Sequence, residues 1–553
     1  MAIKISVVSA ILTLLICVCT CSIIDTRCFP GQTCWPNQRQ VFEFITSLSG
    51  KVYQPSNKEY SQFNTYREIR YHRSPAFVVY VTGVNDVIAC MKFARKHNIL
   101  VTIKSSGHSY NGRYTHDGSL QINMMKMKYK NVKIDSDRNE AGEITVETGN
   151  TWKEIYQEVQ RYDRVVVGGS EHTVTPGGYT QGGGHSPISR SLGLAVDHVI
   201  EAQLVTADGR LVTARENETL VTDADDKVTR IENGDLLWAI RGGGGGVWGV
   251  IINYTFRLHR QPSGMVTSKH FFEFIVNDTV PGTQILKNLF PMLKELPPEW
   301  GGYLLINNFK TKTFQPGAWG HITLALNYFG DWDSPKRNKI KTIVDITNKH
   351  FHFMSNKTSF WDYTQGTNST EVASSRTYIA NGFLHSNETD FSDWVDAVST
   401  FMLKNRDSAG CTGTLLGGQV NVTNPATSVS PKFRSATFAM TCYTAWLDEK
   451  DDEKHLEMGR QLNDDLVEYG DGVYYNEPSF YLPAWKEEFW GGNYDRLLAI
   501  KRKWDPDNFL WCHHCVGSDL SPSGKPGPIT CAGDRANALW LVVVSLTTLT
   551  GVF

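Results

Sequence analysis

The first clear pattern along the chain is an unbroken apolar run, Phe77–Val81 (FVVYV). Val87, Met91 and Ala94 follow at helical spacing, and Leu100–Ile103 (LVTI) forms a second short run. Continuous apolar runs of this length suit strands buried on both faces, and apolar positions three to four apart suit one face of a helix. The spacing therefore predicts a small βαβ unit over residues 77–103, with Asn85 capping the helix. Ile144–Glu147 alternates as a strand does, and Thr151-Trp-Lys-Glu154 is a capping box that opens a helix with Ile155 and Val159 inward. Val165–Val167, Val199–Thr206 and Asn253–Leu258 read as further strands, with a turn at Ala207–Arg210. Asp235 is placed to cap a helix that ends at Gly242. This mixture ends near Arg260. From about residue 265 to 470 the segments HFFEFIV, GYLLINNF, HITLALNYF and FRSATFAMTCYTAWL read as strands with helical patterns between them. The expected fold class is α+β in two domains, the second an antiparallel sheet with helices.

Three glycine-rich connections interrupt the first domain: Lys104–Gly112, Gly168–Ser186 and Gly242–Gly246. Clustered glycines can turn backbone N–H groups inward and let the chain approach phosphate oxygens. No G-x-x-x-x-G-K-[ST] is present, and the loop around Gly107 is not a G-x-G-x-x-G opening a helix, so neither a P-loop nor a dinucleotide-binding Rossmann fingerprint fits. Three such loops between apolar strands point to a pyrophosphate cradle rather than to mobile surface loops. His108, between Gly107 and Ser109 just beyond a strand, is a candidate for chemistry, although a lone histidine is more often structural or merely exposed.

Composition narrows the setting. The 553 residues exceed what one core serves. Lys+Arg 55 against Asp+Glu 57, a net charge of -2, gives no electrostatic basis for binding nucleic acid. Lys4, the apolar run Ile5–Val18 and small residues to Ser22 read as a signal peptide over residues 1–22; that run is short for a membrane anchor. N-x-S/T sequons stand at Asn217, Asn253, Asn277, Asn356, Asn368, Asn387 and Asn421, of which Asn253 falls in an expected buried strand. Cys28, Cys34, Cys90, Cys411, Cys442, Cys512, Cys515 and Cys531 lie beyond the signal region, an even set that suggests disulfides without fixing their pairing. Cys512-His-His-Cys515 has no second ligand pair nearby, so no metal site is expected. Residues 517–553 form a polar spacer and an apolar tail, Ala538–Phe553. They resemble a glycolipid-anchor signal with attachment near Ser523 or Cys531–Gly533, the alternative being a plain hydrophobic tail or anchor helix.

Four ordered segments carry a more specific resemblance: Lys104–Gly112 (KSSGHSYNG), Gly168–Ser186 (GGSEHTVTPGGYTQGGGHS), Leu237–Val250 (LWAIRGGGGGVWGV), and Tyr474-Tyr-Asn-Glu477 followed by Trp490–Leu497 and Trp504–Phe509. Through them residues from about 60 to 516 resemble the FAD-linked oxidases of the vanillyl-alcohol-oxidase type, which have a PCMH-type FAD-binding domain, and most closely their berberine-bridge-enzyme-like branch. The resemblance implies an FAD-binding domain over 60–260, a substrate domain over 261–473, and a segment over 474–516 that returns to the first domain. It implies FAD held by Ser106, Gly107, His108, Ser109, Gly169, Val174, Gly177, Gly178, Gly182, Gly183, Gly184 and Val250, with the flavin covalently linked through His108. Many members add a second link through a cysteine; here Glu171 takes that place, so a single attachment is expected. Some relatives use a glutamate as base, but Val422 stands where that acid would be. Others use a tyrosine in a Tyr-x-Asn segment, which makes Tyr474 the expected base, with Asn476 beside it and Gln419 lining the substrate site. Val174 goes with oxidases rather than dehydrogenases, although Thr175 and Pro176 depart from the usual Gly-Val. The expected protein is a secreted FAD oxidase of an alcohol, sugar or secondary metabolite, with O2 as acceptor. A dehydrogenase using another acceptor, or a surface glycoprotein that keeps the fold without turnover, are the alternatives.

Overall fold

The computed structural model describes residues 27–520 except 66, 224, 276–280, 310–317, 342, 344–350, 358, 366–374 and 423–424. The signal-peptide segment, the C-terminal tail, Asn277, Asn368 and Cys531 lie outside the described residues.

Phe77–Tyr80 and Val101–Lys104 are strands, and Phe77, Val78 and Val79 are fully buried. The helix between them, Val84–Lys96, turns Val87, Cys90, Met91 and Ala94 inward. Its cap is Gly83 rather than Asn85. The negative charge at this helix start is Asp86, whose carboxylate accepts N–H bonds from Ser49, Gly50 and Thr82. The two strands are not neighbours. Leu120–Asn123 lies between them, parallel to both, and Lys51–Tyr53 adds an antiparallel edge. The connection that carries His108 is thus a crossover between adjacent parallel strands.

A second, seven-stranded antiparallel sheet runs in the order Val228–Ile231, Thr219–Thr222, Leu211–Arg215, Val199–Val205, Val250–Arg257, Glu143–Glu147, Lys130–Lys133. The capping box at Thr151 forms as expected and opens the helix Trp152–Val159. Asp235 is the first residue of its helix, not the cap; Gly234 is the cap, and the Asn233 side chain accepts the Asp235 N–H at 2.6 Å.

The third sheet has eight strands, all antiparallel, in the order Phe351–Lys357, Gly264–Ile275, Ala318–Gly330, Trp300–Asn307, Ala409–Leu415, Ala436–Trp446, Arg376–Ser386, Gly472–Val473. Helices Pro281–Lys294, Phe391–Lys404 and Asp452–Leu466 accompany it. The last of the expected strand segments divides: Pro431–Ser435 is a helical turn and the strand begins at Ala436. After residue 473 the chain packs back on the first two sheets. Arg113 donates to the Tyr475 carbonyl, and Trp490 donates to the Gly242 carbonyl at 3.1 Å. Disulfides join Cys28–Cys34, Cys411–Cys442 and Cys512–Cys515, and Cys90 is a buried free thiol.

Candidate active site

The glycine loops and the eight-stranded sheet enclose a cavity of about 610 Å³, a size suited to a small-molecule site. One wall is built by Ser105–Tyr110, Gly169–Glu171, Val174, Thr175, Gly177–Tyr179, Gly245, Gly246 and Gly249. The opposite wall comes from neighbouring strands. Thr412 and Thr414, Thr441, Tyr443 and Ala445, and Ser375, Thr377 and Ile379 all face the cavity, with Tyr303 beside them. Each set advances by two residues, as side chains on one face of a strand must. Tyr474–Glu477 and His185 close the space between the walls.

The His108 loop is anchored from below by Lys104. Its ammonium is buried and donates to the Thr65 carbonyl at 2.6 Å and hydroxyl at 2.9 Å. Burial lowers its pKa to about 8. Gly107 has φ +80°, and a Cβ there would meet Lys104 Cε at 2.8 Å, so this turn requires glycine. His108 Nε2 lies 2.8 Å from Thr173 Oγ1. Burial, helped by Arg67 and opposed by Glu171, lowers the His108 pKa to about 4, so the ring is neutral at pH 7. Ser106 meets Thr175 Oγ1 at 3.3 Å through both its amide and its hydroxyl, which ties the first glycine loop to the second.

The second loop is not irregular throughout: Pro176–Gln181 is a short helix with proline at its first position. Gly178 lines the cavity, and a Cβ there would stand in open space. Gly182, Gly183 and Gly184, expected to contact the cofactor, do not line the cavity; they stand behind its wall. A Cβ on Gly182 would sit 2.4 Å from the Asn476 amide, so this glycine lets Asn476 approach. Val250 is also displaced from its expected role. Gly249 and Ile251 line the cavity, and the two-residue period sends Val250 into the core on the other side.

Tyr474 and Asn476 reach the site, Gln419 does not. The Asn476 amide donates to Tyr474 Oη at 2.8 Å and to the Tyr179 carbonyl at 3.0 Å. Burial and the nearby Glu477 hold the Tyr474 phenol well above its usual pKa, an unfavourable setting for a base. Gln419 is exposed, in a turn at Gly418–Asn421 where Gly417 and Gly418, both at positive φ, carry the chain away from the cavity. Val422 is exposed as well.

Several site residues escaped the sequence reading. Glu477 accepts a hydrogen bond from Thr441, and its other oxygen is 3.9 Å from His185 Nε2. Burial lowers the His185 pKa, against the pull of Glu477, and its Nδ1 meets Thr414 Oγ1 at 3.2 Å. Arg67 lies over the Tyr110 ring at 5.5 Å. The signal was present in the strand sequences, where Thr412/Thr414 and Thr441/Tyr443 are polar at alternate positions.

An open-walled glycine cradle that meets a neutral histidine fits a flavin dinucleotide. Comparison with known proteins agrees. Residues 75–215 match the FAD binding domain family, and residues 473–517 match the family described as berberine and berberine like. A VAO-type flavoprotein oxidase of Thermothelomyces thermophilus is 31% identical over 475 residues, covering 81% of this chain and 76% of that protein. The chain belongs to the VAO-type, berberine-bridge-like FAD-linked oxidoreductases. An FAD-linked oxidoreductase of Gibberella zeae is 26% identical and spans 91% of this chain and 94% of its own length. Among solved structures, a VAO-type flavoprotein from Myceliophthora thermophila C1 matches with TM-score 0.72 at 23% identity, covering 89% of this chain and 97% of that one. Physcomitrella patens BBE-like 1 matches with TM-score 0.74 at 19% identity, covering 86% of this chain and 99% of that one. A chitooligosaccharide oxidase matches with TM-score 0.71 at 21% identity, covering 89% and 100%. These similarities establish the fold of this FAD-linked oxidoreductase, an α+β arrangement with antiparallel sheets.

Proposed function

We propose that this FAD-linked oxidoreductase is a secreted oxidase that takes a hydride from a hydroxyl-bearing carbon of an alcohol, sugar or related metabolite and gives the electrons to O2, producing hydrogen peroxide. The observation that carries the reading is the cavity wall opposite the glycine loops, where threonine hydroxyls and tyrosine phenols alternate along neighbouring strands. Such a wall supplies hydrogen-bond partners to a substrate with several hydroxyls and leaves few of them unpaired. The relatives include a VAO-type flavoprotein oxidase and, in fold, a chitooligosaccharide oxidase, which supports the same class. The small side chain of Val174 on the glycine-loop wall supports oxygen as acceptor.

Bound FAD would supply the two-electron acceptor for the hydride. Ser106, Gly107, Ser109, Gly169, Gly177 and Gly178 would hold it, and His108 would be its single covalent attachment. The hydroxyl proton needs an acceptor in the same cavity. Glu477 suits this role better than Tyr474, because it is a carboxylate on the cavity wall and Tyr474 is held protonated. Thr441 and His185 orient the Glu477 carboxylate, and the Asn476–Tyr474 contact fixes the backbone that bears it. Three disulfides and the sequons support secretion; glycolipid attachment at the C-terminal tail belongs to the same proposal.

The test is anaerobic reduction by a panel of sugars and alcohols, followed by air. Bleaching of the flavin and its rapid return with stoichiometric peroxide is the expected result. Bleaching without return would refute an oxidase, and no bleaching by any hydroxylated compound would refute the substrate class.

A further inference from the structure

Beside His108 lies a short chain of hydrogen bonds that the hydride chemistry leaves unused. Thr173 Oγ1 donates to Glu171 Oε1 at 2.9 Å, and the Thr173 amide approaches the same oxygen at 3.3 Å. His108 Nε2 lies 2.8 Å from that Thr173 oxygen. A threonine hydroxyl has one proton, and an ionised carboxylate only accepts. Because the Thr173 proton goes to Glu171, its oxygen accepts from His108. The ring proton therefore sits on Nε2, and Nδ1 carries the lone pair. Glu171 also lines the cavity, so this relay opens onto the space the flavin would fill.

We propose that Glu171, acting through Thr173, is the positioning residue and proton acceptor for attachment of the flavin to His108. The inference rests on the proposed His108 linkage and deepens it. In the step, His108 Nδ1 forms a bond to the carbon of the flavin 8-methyl group and one methyl C–H bond breaks. The imidazole, now alkylated at Nδ1, gives up its Nε2 proton through Thr173 to Glu171. The flavin is itself the oxidant: the two electrons of the broken C–H bond remain in its ring, which takes up the methyl proton, while the Nε2 proton rests on Glu171. Dioxygen, the proposed acceptor, then restores the oxidised flavin and is reduced to hydrogen peroxide. Glu171 thus has a use of its own at the position where relatives carry a second anchoring cysteine.

The experiment compares purified wild-type holoprotein with Glu171→Gln, Thr173→Val, Glu171→Asp and His108→Ala. Each is incubated with added FAD, sampled over time, desalted to remove unbound FAD, then unfolded and acid-precipitated. Flavin in the pellet measures attachment, and flavin in the supernatant measures binding without attachment. Wild type is expected to hold its flavin in the pellet, and His108→Ala to release all of it. Glu171→Gln and Thr173→Val should still bind flavin but attach it on the order of 100-fold more slowly. Raising the pH should speed attachment in Glu171→Gln, and Glu171→Asp should recover part of the rate; a merely structural role would show neither. Wild-type attachment in both Glu171→Gln and Thr173→Val overturns the relay while leaving the His108 linkage standing. Wild-type flavin found wholly in the supernatant overturns the linkage and the relay with it. The two single variants interrupt the relay at different atoms, so a folding failure in one leaves the other decisive.

Discussion

Replacing Cys411 and Cys442 together by alanine tests the frame of the cavity wall opposite the glycine loops. The two half-cystines face each other directly in the register of strands Ala409–Leu415 and Ala436–Trp446, and both are buried. Their disulfide closes a sequence separation of 31 residues. Loop-closure entropy for a loop of that size is about 12 cal/mol/K, or about 3.7 kcal/mol at 25 °C. The void left by two sulfur atoms adds a loss of the same sign. With a urea slope of about 2–3 kcal/mol/M, the unfolding midpoint should fall by roughly 1–2 M. The assay is urea unfolding without reductant, followed by tryptophan fluorescence, with flavin retention measured in parallel below the transition. Retained flavin and a lowered midpoint are expected, because the cysteines point away from the cavity. An unchanged midpoint would show that the cross-link does not constrain the unfolded chain and would refute the reasoning.

Three further outcomes follow from the site and its supports. Glu477→Gln should lower kcat about 10²- to 10⁴-fold while flavin content stays at the wild-type level; a wild-type kcat in stopped-flow flavin reduction would remove Glu477 from the chemistry. Gly182→Ala places a Cβ 2.4 Å from the Asn476 amide, which should cost about 1–3 kcal/mol in thermal unfolding and weaken flavin retention. Asp197→Asn breaks the paired contact with Arg434, at 2.6 and 2.9 Å and largely buried, and should destabilise the protein by about 3–5 kcal/mol. Burial alone would raise the Asp197 pKa, but the Arg434 hydrogen bonds and charge outweigh it and the net shift is downward. A carboxyl depressed in the folded state contributes stability that is present above its unfolded value, near 4, and is lost as the pH falls through the folded value. The difference in melting temperature between wild type and Asp197→Asn should therefore be full at pH 6 and shrink below pH 4.

Much of the first domain was legible because its signals are local. The run at Phe77, the capping box at Thr151 and the three glycine loops each state their structure within a dozen residues. The placement of Leu120–Asn123 between the two expected neighbours was not legible, since strand order depends on pairing across 43 residues from Phe77 to Leu120. Caps at Asn85 and Asp235 were misplaced by one or two residues because a helix can begin at a glycine with its charge inside the first turn. The glycine-loop wall of the cavity could be read through His108, Ser106, Gly107, Ser109, Gly169, Val174, Gly177 and Gly178, all of which line it. Gly182 to Gly184 and Val250 lie outside the cavity lining for a different reason. A motif shows that a residue belongs to a loop or strand, not which side of it meets the ligand. Gln419 failed because two glycines turn its segment outward. The opposite cavity wall was obscured because Thr412, Thr441 and Thr377 come together only when their strands pair.

The strict alternation on those strands has an evolutionary consequence. Thr412 and Thr414 face the cavity, while Cys411 and Leu415 belong to the core; Thr441 and Tyr443 face the cavity, while Met440 and Cys442 belong to the core. One strand therefore carries two nearly independent alphabets, one facing the cavity and one facing the core. Exchanges at the cavity-facing letters can alter which hydroxyl pattern is recognised while the intervening core residues and the glycine cradle stay fixed. If the proposed function holds, a lineage built on this sheet can diversify its substrates by single substitutions, without reinventing either its fold or its glycine cradle.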